Sequence, residues 1–162
     1  MSEQTMLELV QHALTGWGVE DTVHTVGQFE PRGTTGGTVA GGLVGSSIGD
    51  VVGGSVGDAV GFGVGMMGGR EANRAASGLP AHLLVAVSDT MVYGMAMRSR
   101  RKEPDALVFA LPRSAVTAKV HQRVNVRVLE LIRDDTGARI ELEGNRIPLT
   151  HSHDVITALT KT

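Results

Sequence analysis

The sequence predicts an α+β protein in three parts. These are an N-terminal helix with a strand at 1–32, a glycine-zipper helical hairpin at 33–78, and a β-domain with a C-terminal helix at 80–162. Three observations carry this reading. A glycine stands at every fourth position from Gly33 to Gly69. After Pro80, apolar and polar residues alternate in short runs separated by turn residues, the period of half-buried strands. Apolar stripes at helical spacing lie at 6–14 and 155–159.

Ser2 suits the N-cap of the first helix and Glu3 its first turn. Met6, Leu7, Val10 and Leu14 form its apolar stripe, which ends before Gly16 and is expected to pack on a core. Gly16-Trp17-Gly18 reads as a turn. Residues 19–29 then alternate as a strand through Val19, Val23, Val26 and Phe29, and Pro31-Arg32-Gly33 is expected to stop it.

The ladder comprises Gly33, Gly37, Gly41, Gly45, Gly49, Gly53, Gly57, Gly61, Gly65 and Gly69. An aliphatic residue precedes most rungs: Ala40, Val44, Ile48, Val52, Val56, Val60 and Val64. Flexible linkers place glycine without such a period. Residues four apart share a helix row, and glycine along a row lets a second backbone approach closely. Ten glycines inside helices forfeit on the order of 8–10 kcal/mol relative to alanine, so a close-packed partner must recover the loss. Each four-residue step advances about 400°, so the row drifts around a straight helix. A break at Gly53-Gly54 resolves the drift, with Ser55 and Asp58 at capping-box spacing after it. Arg70, Arg74, Gly78 and Pro80 then supply a helix stop. The expected hairpin has helices at 35–52 and 56–76, packed through Gly37, Gly41, Gly45, Gly49, Gly57, Gly61, Gly65 and Gly69.

The uncharged stretches 34–49 and 59–69 fall short of the ~20 apolar residues that span a bilayer, and Asp50 and Asp58 sit at the turn. Four settings stay open for the hairpin: a two-span anchor, a shallow membrane hairpin, the core of an oligomer, or packing within a soluble body. Composition excludes other classes. Aromatics are 3% of residues, too few for base-stacking platforms, and the net charge of −2 gives no pull toward nucleic acid. Without cysteine there are no disulfides, thiolate metal sites or cysteine nucleophiles. Met-Ser-Glu-Gln lacks the pattern of a signal peptide, so the expected location is the cytoplasm or the cytoplasmic face of a membrane.

Beyond Pro80, residues 82–87 and 91–97 read as strands around a Ser88-Asp89-Thr90 turn, and 107–111 as a third, ended by Pro112. Val116, Ala118 and Val120 alternate with polar residues, as do Val124, Val126 and Val128, leading into an apolar run to Ile132. Asp134-Asp135-Thr136-Gly137 has hairpin-turn chemistry before a strand carrying Ile140 and Leu142. Residues 154–159 read as a helix with Val155, Ile156 and Leu159 inward and Ser152 as its N-cap. This order, with Leu83-Leu84-Val85-Ala86-Val87-Ser88-Asp89-Thr90-Met91-Val92-Tyr93 and Leu111-Pro112-Arg113-Ser114-Ala115-Val116-Thr117, resembles the bacterial pleckstrin-homology-like (PH-like) domains of the GRAM and short bacterial PH type. The resemblance covers 80–160. It implies a partly open β-barrel capped by a helix, and a role in binding lipid headgroups, peptides or a partner.

Chemical motifs are few. Gly63-Val64-Gly65-Met66-Met67-Gly68 matches G-x-G-x-x-G, but no strand precedes it and the ladder already accounts for its glycines. His151 and His153 form a pair without a third ligand nearby, so no metal is expected. His12, His24, His82 and His121 stand singly. No nucleophile elbow or carboxylate pair stands out, so neither an enzyme nor a cofactor is expected. The best site is the basic cluster Arg98, Arg100, Arg101 and Lys102, in a loop between strands, where each charge is worth ~1 kcal/mol near an anionic surface. The expectation is a non-enzymatic membrane-associated or self-associating protein, its partners lipid, further copies of itself, or another protein. The alternative is an oligomeric scaffold or hydrophobic tube serving a larger complex or a lipophilic molecule.

Overall fold

One long strand, β1 (Val23–Thr35), holds the sheet together. The computed structural model describes residues 2–35, 82–97, 103–123, 126–135, 137, 139–145 and 150–161. In chain order they form α1 (Glu3–Gly16), β1, β2 (Leu83–Ser88), β3 (Met91–Met97), β4 (Pro104–Pro112), a 3-10 turn at Arg113–Ala115, β5 (Val116–Arg123), β6 (Val126–Arg133), β7 (Arg139–Asn145) and α2 (Ser152–Thr160). The seven strands make one antiparallel sheet in the order β4-β3-β2-β1-β7-β6-β5. The first part of β1 pairs with β2, Phe29 opposite Leu83, and the second part pairs with β7, Glu30 opposite Glu143.

Two apolar clusters lie on the two faces of the sheet. Phe29, Leu83, Val85, Phe109, Leu129, Leu131, Ile140 and Leu142 meet on the inner face, which Val155 and Ile156 of α2 complete. Met6, Val10 and Leu14 of α1 cover the other face of the β1–β4 half, against Val26, Leu84, Ala86, Tyr93 and Met95. Each fully buried Leu, Val, Met or Phe contributes about 1.5–3 kcal/mol by leaving water. Ser2 caps α1 as expected, accepting from the Thr5 N–H. Gly18 at φ +79° supplies the left-handed turn that leads toward β1.

The architecture corrects the expected one. Among the described residues the α-helices are α1 and α2, one at each end of the chain, and no helical hairpin is present. Its expected spans, and the packing glycines Gly37 to Gly69, lie outside the described residues, except Thr35, which is strand. The first rung, Gly33, is also strand, paired with Glu141. β1 runs on through Pro31-Arg32-Gly33 because β7 offers it a hydrogen-bonding edge. The register shifts between Pro31 and Gly33, an irregularity of the kind that lets a sheet tolerate proline's missing N–H. The N-terminal strand is thus central to the sheet, flanked by strands from beyond residue 80. Among the described residues no pairing joins β4 to β5, and the sheet is open there.

Ser152 is a further correction. It is the first residue of α2, and its N-cap is His151. The Ser152 hydroxyl instead donates to the Asn145 carbonyl at 3.0 Å, buried under the sheet. The helix start can approach so closely because glycines lie beneath it. A Cβ on Gly27 would stand 2.8 Å from the His151 carbonyl oxygen, and one on Gly144 would stand 2.9 Å from the Ser152 hydroxyl.

Candidate functional site

The sheet brings several connections to one place. β2 begins at Leu83, opposite both Phe29 and Ala96, and the Met97 N–H donates to the His82 carbonyl at 3.3 Å. The chain segment carrying the glycine ladder therefore returns to the sheet beside the residue from which the segment carrying Arg98, Arg100, Arg101 and Lys102 departs. Those four residues lie outside the described residues, but both flanking positions, Met97 and Glu103, are described. β6 starts here too, with Val126 opposite Asn145 of β7.

Between these strand ends lies a small cavity of about 160 Å³. Phe29 and Val126 give it apolar lining, and Glu30, His82, Glu143 and Asn145 are among its polar lining. His82 Nδ1 lies 3.9 Å from Glu30 Oε1, both side chains well exposed. Gln28 also lines it, and its amide lies 3.8 Å from Met6 Sδ and 3.9 Å from Met97 Sδ. Arg127 and His153 are in contact nearby. Drug-sized ligand pockets run to about 300–1,000 Å³, so this cavity suits a water cluster or a single small polar group. A larger cleft of about 520 Å³ opens at the far end of α2, between Val92, Val116, Ala118 and Leu159. Arg113 on its wall is committed to structure, donating to the carbonyls of Ser88 and Ala158 at 3.0 and 2.8 Å.

The described residues hold a buried charge cluster that the sequence alone does not assemble. Glu130 of β6 is 5% exposed. Its carboxylate accepts from Arg139 Nη1 of β7 at 2.9 Å and lies 2.9 Å from His121 Nε2 of β5. Burial pushes its carboxyl up, but these hydrogen bonds and the charges of Arg139 and His121 outweigh burial and hold it below its usual value. One acid within the apolar run Val128–Ile132 was the available signal. A second buried polar group, the Tyr93 hydroxyl, donates to Asp21 Oδ2 at 2.8 Å. Burial first, then that hydrogen bond and the Asp21 charge, push the phenol well above its ordinary value.

The singly placed histidines have carboxylate neighbours in three cases: His24 beside Asp89 at 3.2 Å, His82 beside Glu30, and His121 beside Glu130. His12 is exposed on α1. His151 and His153 diverge, His153 to Arg127 and His151 to Asp154 at 3.7 Å. No helix among the described residues is long and apolar enough to cross a membrane. No protein-family model matches the chain, and no curated protein sequence matches it.

Proposed function

We propose that this is a non-enzymatic binding protein that associates with membranes, the glycine ladder acting as apolar anchor and a PH-like β-domain presenting Arg98, Arg100, Arg101 and Lys102 to lipid headgroups. One observation carries the reading: the ladder segment returns at His82, hydrogen-bonded to Met97, where the basic segment leaves. An apolar element that re-enters the sheet at β2 and a cationic one that leaves the adjacent β3 can meet one surface together, and four cations near an anionic leaflet add ~1 kcal/mol each. The PH-like assignment rests on the resemblance of residues 80–160, to which the structure adds a sheet-rich body with a C-terminal helix packed on its inner face.

Flotation on anionic and neutral liposomes tests it. The full chain is expected to float, Gly45→Leu with Gly61→Leu to float weakly, and charge reversal at the four basic positions to lose its preference for anionic vesicles. If the unaltered chain fails to float, the membrane reading fails. If the leucine variants instead change the mass of the lipid-free protein, measured by light scattering, the ladder is the core of an oligomeric scaffold.

A further inference from the structure

His151 and His153 make a poor metal site as read along the chain, because no third ligand lies nearby. The fold supplies what the sequence spacing lacks. α1 and α2 belong to opposite faces of the sheet, one in each apolar cluster, and both pack against β1. Their first turns meet. The ligand atoms of Glu3 from α1 and of His151 and Asp154 from α2 all lie within 4.8 Å of one another. His151 Nδ1 stands 3.7 Å from Asp154 Oδ2. His151 is held by its backbone, in the left-handed conformation at φ 51°, with its carbonyl seated over Gly27.

We infer that Glu3, His151 and Asp154 bind one divalent transition-metal ion, with zinc as the reference case, and that the ion ties the start of α1 to the start of α2. A helix-start ion pair accounts for Asp154 beside His151, three residues apart. Glu3 suits the first turn of its own helix, but that role does not require it to meet His151 and Asp154, which come from the other face of the sheet. Two like charges at this separation repel, and a cation between them removes the repulsion. One imidazole and two carboxylates suit zinc, cobalt or manganese. Calcium and magnesium want all-oxygen shells with more ligands. Zinc bonds of about 2.0–2.2 Å place tetrahedral ligand atoms about 3.3 Å apart, so the cluster closes inward from its 4.8 Å limit when it takes the ion. The fourth position is left to water or to an outside donor.

Calorimetric titration of the untagged full chain with zinc tests this, with magnesium and calcium as comparisons. One zinc ion per chain is expected, and no saturable heat from the other two. Glu3→Gln and Asp154→Asn should each weaken zinc by at least about tenfold. His151→Asn, which tolerates the left-handed backbone, should abolish binding. His153→Asn should leave it unchanged. No saturable zinc binding by the unaltered chain, or full binding by Glu3→Gln, would overturn the site. Should a variant unfold, the imidazole resonances of the unaltered chain decide. Zinc must shift those of His151 and leave His12 and His24 in place, and a shift confined to other histidines sinks the proposal.

Discussion

Strands β2 and β7 flank β1 and are buried in different ways. All six residues of β2 are buried: Leu83, Val85 and Val87 face the inner cluster, Leu84 and Ala86 face α1, and the Ser88 hydroxyl accepts from the Thr90 and Met91 N–H groups. In β7 only Ile140, Leu142 and Gly144 are buried, and Arg139, Glu141 and Glu143 look outward. A helix laid on the outer face turns an alternating strand into a continuous apolar one. On the β5–β7 half the outer face is held by charge: Glu130 is buried between His121 and Arg139. Apolar burial by a helix involves no titrating group, whereas burial of a carboxylate depends on its partners remaining charged.

The difference can be tested from both sides. Leu84→Ala removes a fully buried side chain from beneath α1 and should cost about 2–5 kcal/mol in urea unfolding. A loss under 1 kcal/mol would mean that α1 is not firmly docked. The next effect belongs to the other half. Glu130→Gln should cost about 1.5–3 kcal/mol at neutral pH, as expected for hydrogen bonds to a charged group. The Glu130 carboxyl is held below its unfolded value, so its contribution is full above the ordinary carboxylate pKa of about 4.3 and is lost as pH falls through the lower folded value. Unfolding midpoints of the unaltered chain should therefore drop more steeply on acidification than those of Glu130→Gln, and parallel curves would count against the cluster. The smallest effect is expected at Val120 of β5, which is 37% exposed beside the open seam. Val120→Thr should change stability by less than about 0.5 kcal/mol. A larger loss would mean that the seam is covered.

Much of the β-domain was legible in sequence. The turns at Ser88-Asp89-Thr90 and at Asp134-Asp135, the alternation in β7 and the stripe Met6-Val10-Leu14 all appear near where periodicity puts them. What misled was local punctuation. Pro31-Arg32-Gly33 reads as a stop, and Ser152 reads as a cap. Each instead meets a partner distant in sequence, β7 for the first and the Asn145 carbonyl for the second. Glu130 is marked in sequence only as one acid in an apolar run, and its meaning comes from His121 and Arg139 on the neighbouring strands.

The sequence by itself determined the two terminal helices, the strand-rich character beyond residue 80 and the regular glycine row, because these depend on spacing along one chain. Only the tertiary structure decided that β1 joins both halves of the sheet and that Glu130 is buried between His121 and Arg139. It alone brought Glu3 to His151 and the return of the ladder segment to the start of the basic one. Those pairings arise where hydrogen-bonding edges and apolar faces from distant segments satisfy one another, and no local period encodes which segments will meet.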